Sequence, residues 1–256
     1  MIDVQNQRDY RNIRIKKVGV KDIRYPITVL DKAKGLQHTV ASVNMYVDLP
    51  HHFKGTHMSR FVEILNRYRG DIALKSFSKI LQDMKTTLKA KSAHVEIEFP
   101  YFLQKRAPVT GAKGLMEYVC RFCGSSNDDG NEDFYVGIDI PITTACPCSR
   151  EISAQGAHTQ RGIVTVNVRF KKFIWIEDII QLVEESASCD VYSILKRPDE
   201  KYVTEKAYDN AMFVEDVVRE VAERLSGDPN ITWFSVESEN LESIHNHSAY
   251  AYVEKS

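Results

Sequence analysis

The segment SVNMYVDLPHHFKGTHMSRFVEILNRY, residues 42–68, contains a change in the period of its apolar side chains. In its first part every second residue is apolar, namely Val43, Met45, Val47 and Leu49. In its last part the apolar residues follow the i, i+3, i+4, i+7 spacing, with Phe61, Ile64, Leu65 and Tyr68. Period two is typical of a strand with one buried face, and the second spacing is typical of an amphipathic helix. The segment therefore predicts a strand followed by a helix.

The same two periods continue on both sides of this segment. Alternation over 23–29 predicts an earlier strand, and helical spacing over 77–88, after a break at 69–71, predicts a second helix. Alternation returns over 95–99 and, less regularly, over 114–122. The first half of the chain is therefore predicted to have the element order β-β-α-α-β-β.

The second half repeats this order without repeating the residues. Strands are predicted at 134–142 and 164–170, helices at 176–183 and 214–225, and strands at 231–238 and 248–254. The polar segment 196–212 has no period and predicts a loop that breaks the helical region. We predict an α+β protein of two tandem modules, residues 1–130 and 131–256. Each sheet would carry two helices on one face. Self-association of chains would cover the other face and the edges of the sheet.

Composition excludes several classes of protein. The 256 residues are 43% hydrophobic and 27% charged, as expected of a soluble globular protein, and the net charge of −1 argues against a nucleic-acid or membrane partner. The charged N-terminal region contains no signal-peptide core, and no run of roughly 18 apolar residues could span a bilayer. These features predict a cytoplasmic protein. Its five cysteines do not suggest a disulfide framework.

The segment TTACPCSREISAQGAHTQRG, residues 143–162, concentrates groups that bind metals. Cys146 follows one predicted strand and His158 precedes the next, so a thiolate and an imidazole are predicted at neighbouring strand ends. Carboxylates of 196–215, or His245 and His247, would have to complete the set. A mixed cysteine, histidine and carboxylate set is more typical of an open catalytic zinc site than of a closed structural one. The alternative is a polar loop capped by Ser149.

The other cysteines allow a competing metal site. The spacing of Cys120, Cys123, Cys146 and Cys148 resembles that of a zinc site with four thiolates. However, Cys120 and Cys123 lie in a predicted strand, and their odd separation would point them to opposite faces of the sheet. Packing thiols are the favoured interpretation of Cys120, Cys123 and Cys189. Glu215 lies at the start of a predicted helix. On this position alone it is interpreted as a carboxylate that interacts favourably with the helix dipole.

Four long motifs together resemble the type IB GTP cyclohydrolases. These are KGTHMSRFVEIL (54–65), the cysteine-containing segment 143–162, LKRPDEKYVTEKAYDNAMFVEDVVREVAERL (195–225) and ESIHNHSAYA (242–251), and the likeness begins at DVQNQRDYRNI (3–13). The resemblance implies the tunnelling fold with two modules per chain and a homotetramer that closes the barrels. It implies attack of a metal-activated water on C8 of GTP, release of formate, and formation of 7,8-dihydroneopterin triphosphate for folate or deazapurine synthesis.

The resemblance also implies roles for individual residues, most of them in 131–256. The metal ligands would be Cys146, His158 and Glu200, with His245 near the metal as a further ligand or a proton-transfer group. The metal would be zinc, manganese or iron. Glu215 would bind the guanine edge. The triphosphate would require cations, for which the candidates are His57, Arg60, Arg150, Arg161 and Lys201. The role of Cys148, whether packing or a redox-sensitive disulfide, stays open.

Two other functions are compatible with the sequence. A nitrile reductase of the same fold would use a cysteine nucleophile and NADPH in place of the metal. A binding module with a structural zinc would unfold when the metal is removed.

Overall fold

The computed structural model describes residues 5, 7–69 and 76–255, and these form two compact units. Among the described residues, unit one consists of the chain up to Pro100 and of Arg121–Val136. Unit two consists of Tyr101–Cys120 and of the chain from Gly137 onward. Gly70 and Asp71 of the predicted break, and positions 3, 4 and 6 of the first resembling motif, lie outside the described residues. No helix of the described residues is long and apolar enough to cross a membrane.

Unit one begins with a long antiparallel pair of strands followed by two helices. Its elements are β1 (Ile15–Asp31), β2 (Gly35–Leu49), α1 (Met58–Arg67) and α2 (Phe77–Leu88). Two further strands, β3 (Ala93–Arg106) and β4 (Lys113–Ser126), each have residues in both units. The strand and helix predicted from residues 42–68 are confirmed, and so are the second helix and the strands on either side.

Register explains which side chains of β2 are buried. β1 pairs antiparallel with β2 up to the turn at Asp31↔Gly35, and β2 pairs antiparallel with β3 over Ser42↔Glu98 to Val47↔Ala93. Six of the apolar residues of β2 and α1 are at most 1% exposed, namely Val43, Met45, Val47, Phe61, Ile64 and Leu65, and Leu49 at the end of β2 is 6% exposed. The change of period in the opening segment therefore marks the change from sheet to helix around one core.

Unit two contains the remaining elements. These are β5 (Glu132–Ala145), which starts in unit one, then α3 (Pro147–Ile152), β6 (Thr159–Phe170), α4 (Ile176–Glu185), β7 (Cys189–Asp190), α5 (Arg197–Asp209), α6 (Val214–Gly227), β8 (Ile231–Leu241) and β9 (Ser248–Glu254). Within this unit the strand order is β3-β4-β5-β6-β8-β9, and β7 pairs with β5. The predicted strands and the two amphipathic helices are confirmed.

The loop predicted over 196–212 is wrong, because α5 occupies most of it. Its start is fixed by Asp199, a fully buried carboxylate that accepts the backbone N–H of Lys196 at 2.8 Å. The same carboxylate accepts the N–H groups of Val109 and Thr110 at 2.9 and 2.8 Å and the Thr110 hydroxyl at 2.7 Å. These donors outweigh the effect of burial and lower the pKa of Asp199. Polar contacts hold this helix in place, and they leave no repeating apolar pattern in its sequence.

Candidate functional site

Cys146 and His158 meet at the point where β5 ends and β6 begins. The backbone N–H of Cys146 donates to the His158 carbonyl at 3.0 Å. Ser149 closes the loop between them, since its hydroxyl donates to the Cys146 carbonyl and accepts the His158 N–H, both at 3.2 Å. Cys146, rather than Ser149 as the sequence suggested, is the N-cap of α3, and its Sγ accepts the Ser149 N–H at 3.5 Å. The loop therefore presents the thiol and the imidazole together.

A pocket of about 330 Å³ opens beside this loop in unit two. Its ionisable and metal-binding lining residues are Cys146, His158, Glu215, Glu242, His245 and His247. One thiol, three imidazoles and two carboxylates thus face a single space. A thiolate with imidazoles is a donor set that suits zinc and related divalent ions, so the residues present fit a metal by their chemistry.

His158 has a buried ring nitrogen that no side chain of the described residues satisfies. Its Nδ1 is buried and has no hydrogen-bond partner among the described residues. The nearest carboxylate oxygen, Oε2 of Glu242, is 3.8 Å away, beyond hydrogen-bond distance. The other oxygen of Glu242 accepts the Gln160 amide at 3.1 Å. A buried ring nitrogen without a partner is costly unless something outside these side chains satisfies it.

Sequence reasoning missed Glu242. The residue comes directly after β8, and its side chain is only 14% exposed. It belongs to ESIHNHSAYA, in which only the first histidine had been given a role. The antiparallel register Arg161↔Leu241 brings the start of β6 beside the end of β8, and no pattern in the sequence indicated that pairing.

Glu215 stands in the first turn of α6, as predicted, and lines the pocket. The helix start does not depend on it, because the Asp216 carboxylate accepts the Phe213 N–H at 3.0 Å. The Glu215 side chain is exposed to the pocket opening. Both Glu215 and Asp216 are carboxylates of the first turn of α6, and Asp216 makes the capping hydrogen bond.

His245 and His247 lie on the segment between β8 and β9. Their rings stack with centroids 5.0 Å apart and an interplanar angle of 14°, and both residues are exposed. The structure thus brings the predicted residue His245 to the pocket and adds His247.

Three predicted residues are not among those that line the pocket. Glu200 is exposed on the first turn of α5, where its backbone N–H donates to the Lys196 carbonyl at 2.9 Å. His57 and Arg60 belong to unit one, where Arg60 donates to the Thr87 carbonyl at 3.2 Å. In the described part of the chain no three histidine, cysteine, aspartate or glutamate side chains are close enough to hold a metal ion. The predicted four-ligand set is therefore not assembled in this conformation.

The remaining cation candidates also lie outside the set of lining residues. Arg150 donates to the Asp209 carbonyl at 3.0 Å, and its guanidinium lies 4.8 Å from the centroid of the Tyr208 ring. Among the described residues lining the pocket there is no lysine or arginine.

Three of the five cysteines are packing residues. Cys120, Cys123 and Cys189 are buried, whereas Cys146 is half-buried and Cys148 is exposed. Burial raises the pKa of the Cys123 and Cys189 thiols, which opposes the thiolate form that zinc requires. The structure therefore gives no support to the four-thiolate zinc site.

Comparison with known sequences gives a consistent match. A family model described as "Type I GTP cyclohydrolase folE2" matches residues 1–251. The chain is 67% identical over 255 residues to the GTP cyclohydrolase FolE2 of Syntrophus aciditrophicus (strain SB), covering 100% of both chains. It is 62% identical over 256 residues to that of Syntrophobacter fumaroxidans (strain DSM 10017 / MPOB), again covering 100% of both.

Solved structures with a similar fold are distant in sequence. A uricase from Bacillus fastidious superposes with a TM-score of 0.59 at 7% identity, covering 94% of this chain and 93% of that one. The uricase from Arthrobacter globiformis gives a TM-score of 0.53 at 9% identity, covering 94% and 92%. At such identities the likeness concerns the α+β fold with its antiparallel sheet and carries no information on activity.

Proposed function

The chain belongs to the type I GTP cyclohydrolase FolE2 family, and from that premise we propose that the pocket beside Cys146 and His158 is where it opens the guanine ring of GTP. The protein is a GTP cyclohydrolase of folate biosynthesis. We further propose that the product is 7,8-dihydroneopterin triphosphate and that C8 leaves as formate.

The observation that carries the assignment is the shared pocket. Cys146, His158, His245 and Glu215 come from three parts of the chain, the connection between β5 and β6, the start of α6 and the segment between β8 and β9, and line one space. The unpartnered, buried Nδ1 of His158 supports a site that is completed by something other than protein. The resemblance to the family had selected the same four residues.

The family is metal-dependent, and we propose that Cys146, His158, His245 and Glu200 hold one divalent ion of zinc, manganese or iron. Such an ion supplies hydroxide at neutral pH, which the weakly electrophilic C8 of guanine requires. Glu200 is the one proposed ligand that is not among the residues lining the pocket.

The chain's own groups would carry out binding and proton transfer. Glu215 would accept hydrogen bonds from the ring N–H and exocyclic amine of guanine, an arrangement that adenine cannot satisfy. His245, exposed at the pocket mouth, would protonate the departing ring nitrogen, since an imidazole can act as a general acid. Glu242, held by Gln160, would place its carboxylate beside the imidazole of His158.

The triphosphate requires cations that the pocket lining lacks. His57, Arg60, Arg150, Arg161 and Lys201 are the proposed sources, and they include residues of unit one. A homotetramer of chains with two tunnelling-fold modules, residues 1–130 and 131–256, would allow neighbouring chains to supply some of them. The element order β-β-α-α-β-β, present in the first half and recognisable in the second around the additional α3, β7 and α5, supports that proposal.

The test is turnover of GTP by chelated protein and by protein reloaded with zinc, manganese or iron. We expect formate and a product that oxidation converts to fluorescent neopterin, in the reloaded samples only. Cys146→Ala should abolish both signals while the protein stays folded, and Cys148→Ala tests the neighbouring thiol in parallel. Absence of both signals with every metal would refute the proposal.

A further inference from the structure

A half-buried ionic cluster in unit two connects β5, which ends directly before Cys146, with α5, which carries Glu200. At its centre is Asp190 of the two-residue strand β7. We propose that Asp190 is a positioning residue that fixes α5, and with it Glu200, relative to the end of β5 that carries Cys146. The inference rests on the proposed ligand set and adds a residue that touches neither the metal nor the substrate.

The connection to β5 is made by the backbone. β7 pairs antiparallel with β5 through Ile142↔Asp190 and Thr143↔Cys189. One residue further on, the Ala145 N–H donates to the hydroxyl of Ser188 at 3.2 Å, and Ser188 is fully buried. Strand β5 is therefore held against the β7 segment up to the residue before Cys146.

The connection to α5 is made by side chains. The ammonium of Lys206 on α5 lies 3.0 Å from Oδ1 of Asp190. Nearby, Ala207 packs with Ala145 and Cys189 in a small buried cluster. After the helix ends, the Met212 N–H donates to the Ala145 carbonyl at 3.0 Å. The C-terminal half of α5 is thus joined to the β5 and β7 strand ends, with one charged link through Asp190.

A second cation fixes Asp190 from the other side. Lys105 Nζ lies 3.3 Å from Oδ2 of Asp190 and 2.8 Å from Oε1 of Glu184, and the Tyr192 hydroxyl donates to Oδ2 of Asp190 at 3.2 Å. Burial alone would raise the pKa of Asp190, but the two ammonium groups lower it below its ordinary value. The cluster contains two ammonium groups and two carboxylates, so their charges balance. We therefore interpret it as a contact between parts of the protein and not as a binding site for an anionic ligand.

Helix α5 needs such a link because its apolar packing is slight. Its buried residues are Asp199 and Ala207, one polar and one small. The helix is therefore held chiefly by polar contacts, with Asp199 at its start and Lys206 near its end. Buried ion pairs add little net stability compared with apolar packing, but removing one partner leaves a charge that the surroundings must rearrange to satisfy. Loss of Asp190 should accordingly shift α5 rather than simply weaken the core.

The experiment measures the binding of Co²⁺ to the apo protein by competition with a chelator and by absorption spectroscopy. Asp190→Asn should bind Co²⁺ about 10–100-fold more weakly than the wild type, the usual effect of losing a group that orients a ligand. The sulfur-to-cobalt charge-transfer band, which reports Cys146, should remain. Lys206→Met, which keeps the length of the side chain, should give the same result if Asp190→Asn does not fold.

A double-mutant cycle with Glu200→Gln tests whether Asp190 acts through Glu200. If it does, Asp190→Asn/Glu200→Gln binds Co²⁺ no more weakly than Glu200→Gln alone. Glu185→Gln is the matched control, since that carboxylate pairs with Arg224 at 3.0 Å on the half-exposed side of the same unit, and it should bind like the wild type.

The outcomes separate the two proposals. Wild-type Co²⁺ affinity in folded Asp190→Asn, or additive losses in the cycle, would overturn the positioning role and leave the cyclohydrolase assignment intact. Wild-type affinity in Glu200→Gln would overturn the ligand set and the positioning role with it. Formate release by the wild type, measured on the same preparations, tests the proposed function independently of both.

Discussion

Glu215 is the residue whose substitution best separates substrate binding from metal binding. Glu215→Gln replaces one acceptor oxygen with an amide that cannot accept from the guanine N–H groups. Because a hydrogen bond to a charged group contributes about 1.5–3 kcal/mol, we expect GTP to bind roughly 10–100-fold more weakly. Metal content should be unchanged, as Glu215 is not a proposed ligand.

Equilibrium binding of GTP and metal analysis on one preparation provide the measurement. Glu223→Gln, an exposed carboxylate on the same helix, is the control and should bind GTP normally. GTP affinity equal to that of the wild type in Glu215→Gln would contradict the anchoring role, and lost metal would move Glu215 into the ligand set.

At this scale the sequence predicted residues that lie near one another along the chain better than those brought together by register. Cys146 and His158 flank one loop, so two strand predictions were enough to place them together. Glu242 reaches His158 only because β6 and β8 pair as Arg161↔Leu241. Alternation of apolar residues shows which face of a strand is buried but not which residue lies opposite, so this contact could not be predicted.

Strand β6 depends on a glycine beside the pocket. A Cβ at Gly162 would lie 2.3 Å from Oδ1 of Asn240 and 3.1 Å from Cγ1 of Ile142. Asn240 is buried, lines the pocket, and donates to the Thr144 hydroxyl at 3.1 Å, so it cannot move aside without losing that bond. We expect Gly162→Ala to lower the free energy of unfolding by about 1–3 kcal/mol, as overpacking does.

Urea unfolding followed by circular dichroism measures the effect. Gly227→Ala is the control, because no atom lies within 4 Å of its added Cβ, and it should be neutral or slightly stabilising. Equal stabilities of the two variants would mean that Asn240 and Ile142 relax freely.

Strand β2 ends at a carboxylate that organises the start of β3. Asp48 is 2% exposed and accepts the N–H groups of Lys91 and Ser92 at 2.8 and 2.7 Å and the Arg14 guanidinium at 2.9 Å. Burial would raise the pKa of Asp48, but these donors lower it below its ordinary value. Asp48→Asn should therefore cost about 2 kcal/mol of unfolding free energy near neutral pH.

The same contacts set the sign of the pH dependence. A carboxylate with a lowered pKa in the folded state stabilises the protein above its ordinary pKa, and this stabilisation is lost as pH falls through the folded value. The difference between wild type and Asp48→Asn should therefore shrink on acidification, while Asp129→Asn, in an exposed turn, should match the wild type throughout. A difference that does not change with pH would contradict the role of ionised Asp48.

Among the elements, helices with an apolar stripe could be predicted and α5 could not. The apolar residues of α1, α2, α4 and α6 repeat with helical spacing because each helix packs one face on a sheet. Helix α5 buries only Asp199 and Ala207, so no period results. Its start did carry a signal, since Pro198 stands at the first turn with Asp199 behind it, a common beginning of a helix.

For the whole molecule, the proposed metal belongs to a catalytic site rather than to the folding core. The buried apolar residues of both units form their cores without Cys146 or His158. Cys146, His158 and His245 lie at strand ends and on loops, and Glu200 is exposed on the first turn of α5. Chelation should therefore leave a folded protein of unchanged assembly that releases no formate from GTP. A structural zinc would behave in the opposite way, since its binding free energy is part of the folding free energy.

Circular dichroism, light scattering and formate release, measured with and without chelator, distinguish the two cases. We expect the helix and strand signals to change little and the mass of the assembly to be the same with and without chelator. Readdition of one divalent ion per chain should restore turnover, because the apo protein keeps the loop that joins Cys146 to His158 through Ser149. Unfolding on chelation would assign the ion a structural role, and dissociation with retained fold would place it at a contact between chains.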